Sequence, residues 1–231
     1  REVKERVKEK VKYDIESKTF HSLGRAIVQK YEASKNKISD AATSKYVLHN
    51  LIADILRVMI KDERCRKLII NFISYHRYPA KYLDQFNTQT NYFEYLRKHE
   101  PETLKGDLVK SFEELLIEDW LYLNGVYYEY EYPYEHKTAN MQRNQYRPDF
   151  YLGDGKYLEH FGIGKDGKTA PQINSQTYNA SIVWKRSLHK QHNTTLIETY
   201  SWERQEGIIL QNLEKKLKDI GIDIKPNDPE V

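Results

Sequence analysis

Glycine is spread so unevenly along this chain that it implies two kinds of architecture. Only Gly24 precedes residue 106, and the other nine glycines fall between Gly106 and Gly221. Glycine supplies the positive φ that tight turns require, so helices are expected first and turn-rich strands later. In the first region Tyr46, Leu48, Leu51, Ile52, Ile55 and Met59 recur at helical spacing, and Cys65, Leu68, Ile69 and Phe72 continue the stripe beyond Asp62-Glu63. This predicts one long helix or two, with Cys65 in the core, followed by shorter helices punctuated by Pro79 and Pro101. In the second region Leu108 to Leu123 reads as a helix stopped by Asn124-Gly125, and Val126 to Tyr134 alternates like a strand. After a hairpin come a helix over about Asn174 to Lys190, a strand over Thr195 to Ser201, and a helix over Glu206 to Asp219 ended by Gly221. The expected fold class is mixed α/β: an N-terminal helical region, then a small mixed sheet flanked by helices.

Composition narrows the function classes. With 39% hydrophobic and 31% charged residues, the chain suits one or two modest globular cores. It has neither an apolar run of about 20 residues nor a signal-peptide pattern, so no membrane partner and a cytoplasmic location are expected. One cysteine forms neither an internal disulfide nor a zinc site. A formal charge of +3 is too small to establish nucleic-acid binding by itself. The densest basic stretch of the second half runs from Lys185 to His192.

Chemistry enters at the hairpin Tyr146-Arg147-Pro148-Asp149-Phe150 and Tyr157-Leu158-Glu159-His160-Phe161, joined through Gly153-Asp154-Gly155. A two-residue Asp154-Gly155 loop would send Asp149 and Glu159 to opposite faces. A three-residue loop with left-handed Gly155 sets Asp149 opposite Glu159, with Cβ atoms roughly 4.5–5.5 Å apart. That register also gathers Phe150, Leu152 and Leu158 on the other face, and it is the one expected. Two facing carboxylates suit Mg²⁺ or Mn²⁺. Gly162 to Thr169 matches the phosphate-loop pattern G-x-x-x-x-G-K-T, but Pro171 follows Thr169 too closely for the loop to open directly into a helix, so no nucleotide site is expected there. Nine tyrosines between Tyr122 and Tyr157 are read as core or cross-strand pairs rather than as a base-stacking surface.

Pro148-Asp149, Glu159 on the return strand and a glutamate on a preceding helix resemble the PD-(D/E)XK nuclease superfamily. Tyr157 to Gly162, Gly167 to Pro171, Trp184 to His189 and Leu196 to Ser201, in that order, are similar to the nuclease-like segment inside some UvrD/Rep-type superfamily 1 DNA helicases, including helicase IV. Lys18-Thr19-Phe20-His21-Ser22-Leu23-Gly24 resembles a Thr-Phe-His motif in the first motor domain of those helicases, and Glu2 to Arg6 the helix leading into it. The resemblance implies an interior piece of a helicase: residues 1–107 as the 1A edge and 1B-like helical region, 108–222 as a restriction-endonuclease-like domain, and 223–231 as a tail. It implies DNA, single-stranded or forked, as partner, with the rest of the motor in cis. ATP would serve only the intact parent, because neither a working phosphate loop nor a DExx segment is in this sequence.

The same resemblance implies a catalytic set of Glu114, Asp149, Glu159 and Lys185. Asp149, Glu159 and Glu114 would hold the metal, Glu114 directly or through water, with Glu113 or Glu118 as alternatives to Glu114. The family lysine belongs two residues after Glu159, where this chain has Phe161. Lys185, on a helical stripe with Tyr178, Ile182, Leu188 and His189, is expected to replace it. Arg147, Lys185, Arg186, His189 and Lys190 are expected on DNA phosphates, and His160 away from the metal face.

Overall fold

The computed structural model describes residues 6, 10, 19–32, 39–76, 81–141 and 143–226, so Glu2 to Glu5, Lys18, Pro79 and the end of the tail lie outside the described residues. The chain divides into two compact units, residues 1–56 and 57–231, rather than at the expected 107/108 boundary. Among the described residues there are eight α-helices and one four-stranded sheet, and no helix is long and apolar enough to cross a membrane.

The first unit holds helix α1, Phe20–Tyr31, and most of α2, Lys45–Met59. Thr19 caps α1, its hydroxyl accepting the Ser22 amide at 3.2 Å. Neither helix contains a buried residue.

The second unit opens with α3, Glu63–His76, so the apolar stripe is two helices. The carboxylate of Asp62 accepts the Cys65 amide at 2.8 Å and starts a new helix there. Cys65 is half-buried rather than core, and Leu68 and Phe72 face outward. The face of α3 that meets the core is Ile70 and Tyr75, which pack in the cluster containing Trp120 and Leu213. That packing joins α3 to the later elements and moves the unit boundary upstream of residue 107. Helix α4, Gln89–His99, is capped by Thr88 and lays Tyr92 and Leu96 on Phe112.

Helix α5, Phe112–Leu123, starts four residues later than expected because Ser111 caps it, accepting the Glu114 amide at 3.0 Å, while Leu108 pairs with Glu102 in an isolated bridge. It ends at Asn124-Gly125 as expected. Strand β1 is only Glu129–Tyr130. Glu131 takes φ 48° and Pro133 lacks an amide, so the expected longer strand cannot continue its ladder.

Strands β2, Phe150–Tyr151, β3, Lys156–Phe161, and β4, Thr195–Tyr200, complete a sheet of order β1-β2-β3-β4. The first two pairings are antiparallel and β3 runs parallel to β4. The parallel pair requires a crossover, and α6, Ser175–Gln191, supplies it. Phe150, Leu152, Leu158 and Ile197 face α5 and the last helix, packing on Leu116, Leu121 and Leu213. On the other face Tyr134, Tyr146 and Tyr157 pack with Trp184 and Leu188 of α6. The sheet thus lies between helical layers. The expected closing helix is α8, Ile209–Asp219; a short helix not expected, α7, Ser201–Gln205, precedes it, the two separated by Gly207 at φ 70°.

The hairpin pairs Phe150 with Leu158 and Tyr151 with Tyr157, the register of a three-residue loop. Gly153, Asp154 and Gly155 all have positive φ, at 86°, 50° and 67°. Gly155→Ala is expected to lower stability by about 1–2 kcal/mol, the cost of a Cβ in left-handed backbone, and a shift in the urea midpoint at constant slope measures it.

Candidate active site

The sheet register decides which side chains meet. Leu152 donates its amide to the Lys156 carbonyl at 2.9 Å, so Leu152 and Lys156 form a hydrogen-bonded pair. Counting back, Phe150 and Leu158 are the next such pair, and Asp149 and Glu159 oppose one another at a close, non-hydrogen-bonded step. Asp149 Oδ2 accepts the His160 amide at 2.7 Å, which ties it across the hairpin. Glu159 is 1% exposed. Its Oε1 accepts the Tyr146 hydroxyl at 2.6 Å, and its Oε2 accepts the Lys185 ammonium at 2.5 Å.

Lys185 reaches this point from α6, its ammonium 5.5 Å from the centre of the Phe161 ring and 5.6 Å from that of Tyr146. Phe161, in the position where a lysine was expected, is buried and forms a wall beside the Lys185 ammonium. The cation therefore arrives from the crossover helix instead of the strand.

Glu114 lies at the start of α5, where Tyr130 donates to its Oε2 at 2.6 Å and Ser111 to its Oε1 at 2.9 Å. Burial and then the charge of Asp149 push Glu114 up to about 7. Burial also raises Asp149, and burial together with Asp149 pushes Glu159 up to about 8.

Among the described residues no three His, Cys, Asp or Glu side chains are disposed to hold a metal ion, so Glu114 does not join Asp149 and Glu159 in a three-ligand cage. What the facing pair does bring together is two hard oxygen donors, the ligand type that Mg²⁺ and Mn²⁺ take. The alternatives to Glu114 are engaged elsewhere. Glu113 pairs with His160 at 3.1 Å and Arg204 at 2.7 Å; burial opposes its ionisation, but these partners hold it down at about 2. Glu118 accepts from Thr103 at 2.9 Å and Tyr128 at 3.0 Å. His160 points to the α5 face of the sheet, as expected, and also meets Thr199 at 3.0 Å.

The residues expected on phosphates separate into two groups. Arg147 and Lys190 are exposed, Arg147 donating to the Glu131 carbonyl at 2.9 Å. Arg186 is committed to Glu198 through two hydrogen bonds of 2.6 and 2.7 Å, and Lys185 to Glu159. His189 is the clear correction: it is 2% exposed, packed among Tyr134, Tyr146 and Tyr157, and beyond reach of a phosphate. Helical spacing placed it near the basic residues, but the face it shares with Leu188 turns inward. Tyr130 and Tyr146 are the site residues that sequence reasoning missed. They were read only as alternating aromatics, and their carboxylate partners lie 16 and 13 residues away.

The phosphate-loop look-alike folds on itself. Gly164 donates to the Lys168 carbonyl at 2.8 Å, Gly167 to the Gly164 carbonyl at 3.0 Å, and Lys168 pairs with Asp166 at 2.7 Å. The amides of Gly164 and Gly167 are thus used by the loop's own carbonyls, that of Gly162 donates to the Tyr178 hydroxyl at 2.9 Å, and the next helix starts only at Ser175. No protein-family model, curated protein or solved structure matches the chain.

Proposed function

We propose that residues 108–222 carry a metal-dependent, PD-(D/E)XK-like nuclease centre that hydrolyses phosphodiester bonds in DNA. The observation that carries this reading is the convergence of Asp149 and Glu159 across the hairpin with the Lys185 ammonium 2.5 Å from Glu159. Asp149 and Glu159 would hold Mg²⁺ or Mn²⁺, with Glu114 acting on the same centre by charge or through water. A bound divalent ion supplies Lewis-acid neutralisation of phosphate and a lowered pKa for its water. Lys185 supplies a mobile positive charge for the developing negative charge on phosphate. Exposed Arg147 and Lys190 would hold the DNA backbone. In this reading the chain belongs to a superfamily 1 helicase, and ATP use and unwinding reside in motor segments absent from this sequence.

A second reading is favoured by one specific feature. Both oxygens of Glu159 are satisfied by protein donors, so the fold closes its acidic pair without help and could serve as a DNA-binding or regulatory module. Incubation with single-stranded, duplex and forked DNA separates the two. The nuclease reading expects cleavage with Mn²⁺ or Mg²⁺ that stops on chelation. DNA binding without cleavage in either metal would select the second reading.

A further inference from the structure

Behind Glu159 a line of buried side chains runs along the inner face of α6. The Tyr146 hydroxyl, 2.6 Å from Glu159 Oε1, is also 3.2 Å from His189 Nε2. On the other side of the ring, His189 Nδ1 is 2.8 Å from Thr194 Oγ1, which is 2.7 Å from the Tyr134 hydroxyl. The connection between α6 and β4 builds this arrangement locally: Asn193 takes φ 55°, and the Thr194 amide donates to the His189 carbonyl at 3.0 Å. His189 and Thr194 are therefore held together by backbone as well as side chain.

The proton inventory gives the line a direction. Lys185 has only donors, so Oε2 of Glu159 accepts, and at Oε1 the Tyr146 hydroxyl is the donor. Tyr146 has one hydroxyl proton and gives it to that oxygen. Toward His189 the phenol oxygen can then only accept, which places a proton on Nε2. In a neutral imidazole Nδ1 is then bare, so it accepts from Thr194, whose oxygen accepts in turn from Tyr134. Each hydrogen bond points toward Glu159.

We propose that Tyr146, His189 and Thr194 form a directional positioning chain that fixes the Glu159 carboxylate, commits Oε1 to the protein and leaves Oε2 as its exchangeable oxygen. His189 is thus a positioning residue acting through Tyr146, with no contact to DNA. The role rests on the reading of Glu159 as a metal ligand; the direction of the chain does not. Outer-shell partners of this kind typically change metal affinity 10–100-fold.

Two measurements test it. Nitrogen-15 spectra of the imidazole in the wild-type protein at pH 7 are expected to show neutral His189 protonated at Nε2; an Nδ1–H tautomer or an imidazolium would overturn the chain. Mn²⁺ titration is expected to give affinity weakened at least about tenfold in Tyr146→Phe and His189→Leu. His189→Gln, whose amide can donate to Tyr146 and accept from Thr194, is expected to recover affinity close to wild type. Equal Mn²⁺ affinity in wild type and a folded His189→Leu would reduce His189 to packing and sink the proposal. Wild type that binds no Mn²⁺ yet shows the Nε2–H signal would overturn the ligand role of Glu159, and with it the positioning role, while leaving the direction standing.

Discussion

Asp149→Asn is expected to lower Mn²⁺-dependent cleavage of DNA by about 10³-fold or more and, above pH 8, to make the protein more stable. The loss follows from removing one of two facing metal ligands, since the charge stabilisation that a metal provides is worth several kcal/mol. The gain follows from the same geometry. Asn retains an acceptor for the His160 amide, which Asp149 receives at 2.7 Å, but removes the like charge facing Glu159. The sign is set by the raised carboxyl values, Glu159 at about 8 and Glu114 at about 7. A carboxyl whose folded value lies above its unfolded one contributes stability that is complete below about pH 4 and is lost as pH rises through the folded value. The wild-type centre is therefore least favourable above pH 8, where Glu159 and Glu114 have lost their protons. There the substitution should add roughly 1–2 kcal/mol to unfolding stability, with little difference at pH 5. Urea unfolding at both pH values, alongside a cleavage assay, checks the pair of effects. An Asp149→Asn protein that cuts like wild type would remove Asp149 from the centre, and one no more stable at pH 9 than at pH 5 relative to wild type would remove the charge argument.

Lys185→Met is expected to separate metal binding from cleavage. The ammonium sits against Glu159 Oε2, on the side of the carboxylate that a divalent cation would use. At an effective dielectric of about 20 a unit charge at 4 Å interacts by about 4 kcal/mol, and Lys185 both repels an incoming cation and competes for the oxygen. Its removal should tighten Mn²⁺ binding about tenfold, well within that energy. Cleavage should nevertheless fall about 10²–10³-fold, because charge developing on the phosphate loses its stabilising donor. Methionine preserves the apolar stem against Phe161 and Tyr146, which limits damage to packing. Calorimetric Mn²⁺ titration and single-turnover cleavage read the two quantities independently. Weaker Mn²⁺ binding together with slower cleavage would show Lys185 acting only as a structural partner of Glu159.

Particular residues show how far the sequence could be read. The three-residue loop was legible at Gly153-Asp154-Gly155, because a local run of positive-φ residues has few solutions and the alternation of Phe150, Leu152 and Leu158 selects one of them. The gap that Pro171 imposes after Thr169 was also legible: the next helix starts only at Ser175. Where the sequence misled, a periodic pattern had more than one physical use. Leu68 and Phe72 share helical spacing with Cys65, yet it is Ile70 and Tyr75 that meet the core. Val126 to Tyr134 alternates throughout, yet Glu131 and Pro133 confine its pairing to two residues. His189 lies within a basic segment, yet its side of α6 is the buried one.

The sequence by itself determined the local events: the stop at Asn124-Gly125, the hairpin turn, and with that turn the facing of Asp149 and Glu159. These depend on φ preferences and hydrogen bonds within a few residues, which neighbouring side chains specify. Only the tertiary structure decided that Lys185 reaches Glu159, that Tyr130 and Tyr146 hold the two glutamates, and that His189 stands behind the site. Lys185 and Glu159 are 26 residues apart, and Tyr146 and His189 are 43. They meet because β3 and β4 pair in parallel, which forces α6 to cross one face of the sheet and turn its inner side toward the acids.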